Sequence, residues 1–173
     1  MSSEKELYII LHNVRSVFNV GSIFRTADAA GVQKIYLTGY TPAPVDRFGR
    51  GRKDFVKVSL GAEKSVEWEQ KKDIHSLLRE FFWKKISIVA LEQSPQSIDY
   101  RKVRSKGPVA VIVGNEVGGI PKSVLARADI VAEIPMRGTM VRQAEHPRHT
   151  GTGKESLNVS VATGIFLFSL LGR

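Results

Sequence analysis

Short apolar runs alternate with amphipathic stretches along the chain. Strands are predicted where an apolar run is short and continuous, at residues 7–11, 34–38, 86–91, 109–113 and 130–134. Helices are predicted at residues 19–30, 73–85 and 121–128, the two longer ones from apolar residues that recur every three or four positions. Strands that alternate with helices form βαβ units, so the sequence predicts an α/β fold on a mostly parallel sheet flanked by helices.

The two longer predicted helices have recognisable ends and faces. Asn19 is the expected N-cap of the first helix, and Gly31 is its expected stop. The apolar face of this helix leaves Arg25 outside. The second helix is expected to bury five side chains, namely Ile74, Leu77, Leu78, Phe81 and Phe82.

The last stretch of the chain, residues 159–171, is apolar on almost every side. We expect a helix that is buried all round, with Ser156 as its cap. Gly164 in its middle indicates that another backbone comes close. Polar residues at the mouth of such a helix suit a binding or catalytic site, and a capped core helix is the plainer alternative.

Composition and charge narrow the class of protein. The chain has 173 residues with 42% hydrophobic content, and a single domain over residues 1–173 is expected. A net charge of +9 favours a polyanionic partner, with nucleic acid ahead of an anionic membrane. The absence of cysteine excludes disulfides and thiolate metal sites. No signal peptide or membrane span is predicted, so a cytoplasmic protein is expected.

Residues 41–57 form a segment rich in proline, glycine and positive charge. The basic side chains are Arg47, Arg50, Arg52, Lys53 and Lys57, and Phe48 and Phe55 lie among them. Basic side chains neutralise phosphates and aromatic rings stack on unpaired bases, so RNA or DNA contact is predicted. A solvated basic loop is the alternative.

A glycine-rich turn, Gly-Asn-Glu-Val-Gly-Gly-Ile-Pro at residues 114–121, follows the most apolar strand. It matches neither a dinucleotide fingerprint nor a phosphate loop. Turns after parallel strands lie at the edge of the sheet where ligands bind. Taken by itself, however, this segment fits a tight turn with one solvated carboxylate better than a binding site. His146 and His149 lack a second ligand pair, so no metal site is predicted.

Four segments together resemble the three ordered motifs of the SpoU (TrmH-like) RNA methyltransferases. Residues 19–31 resemble the first motif, residues 114–121 the second, and residues 134–136 and 156–162 the two halves of the third. Residues 59–62 are similar to a weaker family feature. The resemblance covers the chain from about Leu7 to Leu171.

The resemblance implies a SPOUT-class knotted fold with a C-terminal trefoil knot. The sequence itself predicts no separate RNA-binding domain. The resemblance also implies a homodimer that binds S-adenosylmethionine in the knot and methylates the ribose 2′-hydroxyl of transfer or ribosomal RNA. The implied catalytic residues are Arg25, Asn19, Glu116, Ser156 and Asn158. The implied cofactor-binding residues are Gly114, Asn115, Glu116, Ile134, Met136, Ser156, Leu157 and Asn158.

The role of Arg25 follows from likeness and chemistry together. A guanidinium hardly ever loses its proton, so we favour a role in binding the RNA phosphate and orienting the hydroxyl. A direct role as base stays open. Methylation of a base by a related knotted enzyme, and RNA binding without turnover, are the alternative functions.

One segment departs from the family pattern. Residues 137–155, between the two halves of the third motif, are longer than usual and net basic, with Arg142 and Arg148 expected to contact RNA. They are predicted either to form a lid that orders on RNA or to be a tolerated surface insertion.

Overall fold

The computed structural model describes residues 6–136 and 156–172. The strands are β1 Leu7–His12, β2 Lys34–Thr38, β3 Glu67–Lys71, β4 Ser87–Leu91, β5 Ile98–Asp99, β6 Val109–Val113 and β7 Ile130–Glu133. The helices are α1 Val17–Ala30, α2 Lys53–Ser59, α3 Ala62–Ser65, α4 Ile74–Trp83, α5 Lys122–Leu125 and α6 Val159–Leu170. A single 3₁₀ turn, Tyr100–Lys102, follows β5.

The strands form one seven-stranded sheet in the order β3-β2-β1-β6-β4-β7-β5. Every pairing of neighbouring strands is parallel, which confirms the predicted sheet. β6 lies at the centre and is buried along its whole length, because helices cover both faces of the sheet. All strands therefore end at one edge, which we call the carboxyl edge.

Helices pack on both faces of the sheet, and each face has its own hydrophobic core. α1 and α6 contribute to the first core through residues such as Phe24, Phe166 and Leu167. Phe24 also packs edge-to-face on Phe55 of α2, with 5.2 Å between ring centroids. α4 and α5 cover the other face through residues such as Phe81 and Val124.

The ends of α1 and α4 correct two sequence predictions. The N-cap of α1 is Ser16, whose hydroxyl accepts the Asn19 N–H at 3.3 Å, and not Asn19 itself. Gly31 ends this helix in the left-handed conformation, as predicted. Phe82 was expected inside, but its side chain is 70% exposed, because the face that α4 buries is narrower than the apolar pattern suggests.

Helix α6 differs from its prediction in three ways. Its N-cap is Asn158, whose side chain accepts the Ser160 N–H, and not Ser156. Only one side of it is buried within the chain, so Val161 remains 51% exposed. A methyl group added at Gly164 would lie 3.4 Å from the Thr26 side chain, so among the described residues the neighbour of this glycine is a side chain and not a backbone.

A polar edge strand was not predicted from the sequence, and two of the predictions concern residues outside the described part of the chain. β3 was not predicted, because its sequence, EWEQK, is mostly polar and forms an edge strand. The trefoil knot depends on the path of residues 137–155, which include Arg142 and Arg148. This segment lies outside the described residues, so the knot and the lid stay predictions. In the described part of the chain, no helix is long and apolar enough to cross a membrane.

Candidate active site

Glu116 joins the turn after β6 to the beginning of α1. Its carboxylate accepts the backbone N–H groups of Arg15 at 3.0 Å and Ser16 at 3.1 Å, and the Asn19 side-chain amide at 2.9 Å. Backbone N–H groups at the start of a helix have no partner within the helix, so a carboxylate is well placed there. Glu116 therefore fixes the position of α1 against the carboxyl edge.

Asn19 extends this contact to the last helix. Its side-chain oxygen accepts the Asn158 amide at 3.0 Å, while its amide nitrogen donates to Glu116. Asn158 is held in turn by its capping role, because its oxygen accepts both the N–H and the hydroxyl of Ser160. Three of the five predicted catalytic residues, Asn19, Glu116 and Asn158, thus form one hydrogen-bonded chain across segments distant in sequence.

The surroundings of Glu116 keep its carboxylate charged. Partial burial alone would raise the pKa of this group, but the hydrogen bonds from Arg15, Asn19 and Ser16 outweigh it and lower the pKa below its ordinary value. A carboxylate with a lowered pKa and three donors is a poor proton acceptor. Glu116 is suited to hold Asn19 and α1 in place.

The glycine turn is too tightly folded to accept a side chain at its first position. A methyl group added at Gly114 would lie 2.7 Å from the carbonyl of Gly119. Asn115 and Gly119 exchange two backbone hydrogen bonds, at 3.2 and 3.0 Å, that close the turn. Glu92, which follows β4, accepts the Ile120 N–H at 2.8 Å and ties the turn to the neighbouring strand.

Asn115 connects the turn to the ends of β1 and β2. Its amide donates to the Asn13 carbonyl at 3.0 Å and to the Tyr40 hydroxyl at 2.9 Å. Asn13 adopts a left-handed conformation with φ of 58°, and its side-chain oxygen accepts the Tyr40 N–H at 3.2 Å. Sequence reasoning missed Asn13, Tyr40 and Glu92, although each directly follows a strand or lies within two residues of its end.

His12 at the end of β1 is a buried structural residue. Its Nδ1 lies 2.8 Å from the Thr38 hydroxyl and its Nε2 lies 3.1 Å from the Asn13 amide. Because that amide can only donate, Nε2 accepts and Nδ1 carries the proton. Burial, followed by the charge of His75, lowers the pKa of His12, so this neutral form dominates at neutral pH.

Arg25 lies apart from this hydrogen-bonded chain. It is exposed on α1, as predicted, six residues beyond Asn19 and hence about 9 Å further along the helix axis. It lines an open groove of about 610 Å³ between α1, α2 and α6, together with Phe18, Ser22, Thr26, Ala29, Lys57, Val58, Leu60 and Phe168. Among the described residues no hydrogen bond or ion pair engages the Arg25 guanidinium, which leaves it available to an anionic ligand.

The basic segment forms a compact turn before α2. The Asp46 carboxylate accepts the N–H groups of Phe48 and Arg50, and Val45 pairs with Gly51 across the turn. Phe48 at the tip is 66% exposed, with the Arg47 and Arg50 guanidiniums 4.7 and 5.0 Å from its ring centroid. The turn thus presents an aromatic ring between two cations.

Two residues of the basic segment differ from expectation. Phe55 was predicted to be available for stacking on bases, but it is fully buried against Phe24. Arg52 is half-buried and pairs with Asp54 at 2.7 Å, as Arg50 pairs with Asp46 at 2.9 Å. Arg47 and Lys53 are exposed and have no ion pair with any described residue.

The remaining predicted cofactor residues lie at the same edge of the sheet. Ile134 and Met136 follow β7 and are half-buried, as is Leu157, while Ser156 is exposed just before α6. β4 separates β6 from β7, so the ends of these two strands are about 10 Å apart. Within residues 6–136 and 156–172, no three His, Asp or Glu side chains group as metal ligands.

Comparison with known proteins identifies relatives of this chain. The chain is 33% identical to a tRNA (guanosine(18)-2'-O)-methyltransferase of Aquifex aeolicus, over 95% of this chain and 68% of the relative. It is 30% identical to the 23S rRNA (guanosine-2'-O-)-methyltransferase RlmB of Ralstonia nicotianae, over 94% of this chain and 57% of that protein. An AdoMet-bound rRNA methyltransferase from Sinorhizobium meliloti superposes with a TM-score of 0.76 and 30% identity, over 95% of this chain and 55% of the other.

The share of each relative that this chain covers limits what can be concluded about its activity. This chain spans little more than half the length of the Ralstonia and Sinorhizobium proteins, so their activities are not transferred to it by likeness alone. The model of the SpoU rRNA Methylase family matches residues 6–141, which is most of the chain. The chain therefore belongs to the SpoU rRNA methylase family.

Proposed function

We propose that this protein transfers a methyl group from S-adenosylmethionine to a ribose 2′-hydroxyl of transfer or ribosomal RNA. The observation that carries the proposal is the chain of hydrogen bonds Asn158–Asn19–Glu116, which joins three family motifs at the carboxyl edge. Relatives named as 2′-O-methyltransferases of tRNA and rRNA support the same reaction. The net charge of +9 supports a polyanionic substrate.

The carboxyl ends of β6 and β7, on either side of β4, are the proposed cofactor site. The half-buried side chains of Ile134, Met136 and Leu157 offer apolar surface to the adenine. Gly114 has no room for a side chain because the glycine turn folds back against it, and its backbone is proposed to contact the cofactor. When bound, S-adenosylmethionine supplies a methyl group already activated by its sulfonium. Asn115 and Ser156 complete the proposed set of cofactor contacts.

The site residues position the reacting hydroxyl. Asn19 and Asn158 offer amide groups in a fixed orientation, because Glu116 and Ser160 hold them. Such preorganisation aligns a 2′-oxygen with the methyl group and lowers the entropic part of the barrier. Arg25 binds a phosphate of the RNA and so orients the ribose, a task that a permanently charged guanidinium performs well.

The basic segment, residues 41–57, contributes the proposed RNA surface. Arg47 and Lys53 are exposed without ion pairs among the described residues, so they are free to neutralise phosphates. Arg50 and Arg52 contribute less, since an aspartate already pairs with each. Arg142 and Arg148 are proposed to add to this surface from residues 137–155.

A homodimer accounts for the exposed apolar face of α1 and α6. Phe18 and Leu60 are 66% and 65% exposed around the groove, and Val161 and Ile165 on α6 are also exposed. A group of exposed apolar side chains marks a surface for protein contact, and a second copy of the chain would cover both sets. The Arg25 groove would then lie at the interface between two subunits.

The proposed reaction is tested with labelled cofactor. The protein is incubated with S-adenosylmethionine labelled in its methyl group and with transfer or ribosomal RNA from cells in which the gene has been deleted. Digestion of the RNA to nucleosides is expected to release a labelled 2′-O-methyl nucleoside. A labelled base would indicate base methylation, and unlabelled RNA that nevertheless binds the protein would indicate RNA binding without turnover.

A further inference from the structure

One exposed aromatic ring at the carboxyl edge has no role in the reaction described so far. Tyr40 follows β2, and its side chain is 59% exposed. No aromatic ring or cationic side chain among the described residues lies against it, unlike Phe48 in the basic turn. An exposed ring is common, but this one is held in place from several directions.

Hydrogen bonds fix both ends of Tyr40. The Asn13 side chain accepts its backbone N–H at 3.2 Å, and its hydroxyl accepts the Asn115 amide at 2.9 Å. Gly39, just before it, has φ of 65° and lies so close to the Asn13 amide that no side chain fits there. These contacts restrict the side chain before any ligand arrives, which lowers the entropic cost of binding.

The ring lies beside the proposed reaction site, on the half of the sheet away from the proposed cofactor site. That site is at the ends of β6 and β7, whereas β2 lies two strands from β6 on the opposite side. The Tyr40 hydroxyl accepts a hydrogen bond from Asn115, which directly precedes Glu116 in the chain. The basic segment, residues 41–57, follows Tyr40 directly in the sequence.

We propose that Tyr40 is a stacking platform for an unpaired base of the RNA, at the target nucleotide or next to it. An aromatic ring stacks on any base because every base has a π face, and RNA-binding proteins use such rings on single-stranded segments. Tyr40 would hold the strand while Asn19 and Asn158 position the ribose. This inference rests on the proposed function, since it requires an RNA substrate.

A purely structural role for Tyr40 gives different results. If the hydroxyl only braces Asn115, loss of the hydroxyl is what matters, and the effect falls on cofactor affinity. If the ring stacks on a base, loss of the ring is what matters, and the effect falls on RNA affinity. Tyr40→Phe removes the hydroxyl and Tyr40→Leu removes the ring, so the pair separates the two roles.

The test measures the KM for RNA, the Kd for S-adenosylmethionine and the melting temperature of each variant. Tyr40→Leu is expected to raise the KM for RNA roughly 5- to 150-fold, the range found when a stacked ring is lost. The cofactor affinity and the melting temperature of Tyr40→Leu are expected to stay at the wild-type values. Tyr40→Phe, which keeps the ring, is expected to retain an RNA affinity within about twofold of the wild type. Phe82→Leu is the matched control, because Phe82 is 70% exposed at the end of α4, at the opposite edge of the sheet.

The possible results distinguish a failure of the stacking role from a failure of the proposed function. If the wild-type protein methylates RNA and Tyr40→Leu has a normal KM for RNA, the stacking role is wrong and the function stands. Equal losses of cofactor affinity in Tyr40→Phe and Tyr40→Leu would also overturn it, in favour of the bracing role. If the wild-type protein methylates no RNA, the proposed function itself fails. Gly39→Ala, which displaces the ring without removing it, is expected to raise the KM for RNA as Tyr40→Leu does.

Discussion

Removal of the Glu116 carboxylate is expected to loosen α1 and disable the site. Glu116→Ala deletes three hydrogen bonds to a charged acceptor, from Arg15, Ser16 and Asn19. A buried bond of this kind contributes about 1.5–3 kcal/mol, but these donors are partly exposed and regain water, so about 1–2 kcal/mol is expected in total. For a chain of this size that corresponds to a fall in melting temperature of about 3–6 °C.

Glu116→Gln divides this effect into parts. The Oε1 atom accepts two of the three donors, Ser16 and Asn19, and a glutamine oxygen in the same place keeps both. The new amide would face the N–H of Arg15, where it cannot accept, so one bond is lost. The melting temperature of Glu116→Gln is expected between those of the wild type and Glu116→Ala. Turnover is expected to fall at least tenfold in Glu116→Ala, about 1.4 kcal/mol, because Asn19 is released.

The stabilisation by Glu116 also depends on pH with a defined sign. Hydrogen bonding lowers the pKa of the folded carboxyl group below its ordinary value of 4.5. The stabilisation is therefore complete above pH 4.5 and disappears as the pH falls through the lowered pKa. The gap in melting temperature between wild type and Glu116→Ala is expected to close in that acidic range.

Calorimetry or circular dichroism between pH 3 and 7 measures that gap, with about one unit of pH between samples. Glu67→Gln is the control, because Glu67 is an exposed carboxylate at the beginning of the edge strand β3. Wild-type stability and turnover in Glu116→Ala, or a gap that is equally large at low pH, would refute the role assigned to Glu116.

Three further predictions concern Arg25, the basic turn and the glycine turn. Arg25→Ala is expected to lower turnover by about a hundredfold, about 2.7 kcal/mol, with unchanged cofactor affinity, and near-normal turnover would remove Arg25 from the mechanism. Arg47→Gln is expected to reduce the salt dependence of RNA binding by roughly 0.7 in slope, more than Arg50→Gln because Asp46 already pairs with Arg50; equal slopes in wild type and Arg47→Gln would contradict this. Gly114→Ala is expected to abolish cofactor binding by calorimetry, whereas Gly118→Ala, where the nearest atom is at 3.5 Å, is expected to retain it; normal binding by Gly114→Ala would refute the steric argument.

Periodicity in the sequence predicted the apolar strands of the sheet, but it missed the polar edge strand and the short helices. β6 is uniformly apolar and lies at the centre, because only a strand covered on both faces has that composition. β3 was missed since its exposed edge position permits the polar residues that hide a strand. Short helices such as α3 are held by tertiary contacts and leave no periodic pattern to detect.

The candidate site divides in a similar way. Asn19, Glu116 and Asn158 were identified by family motifs, and the structure adds the hydrogen bonds between them. Asn19 was expected to cap α1, but its side-chain amide donates to Glu116, which is 97 residues away in the sequence. The local sequence around Asn19 contains no sign of such a partner. Tyr40 was missed for the same reason, because its partner Asn115 is 75 residues distant.

Helix α6 shows how an all-apolar pattern misleads when one chain is considered alone. Apolar residues on every side predicted burial on every side, yet Val161 and Ile165 are exposed within this chain. The pattern reports what a helix contacts in its working assembly, which includes any second subunit. The proposed dimer reconciles the sequence with the exposed face.

The position of the transferred methyl group tests the central claim most directly. Alkali cleaves RNA by attack of a free 2′-hydroxyl on the neighbouring phosphate, so a 2′-O-methyl group blocks cleavage at that one linkage while a methylated base does not. RNA labelled by this protein and its cofactor is hydrolysed with alkali, and the products are separated by size. The label is expected in a dinucleotide that resists alkali, and label in mononucleotides would contradict transfer to the ribose.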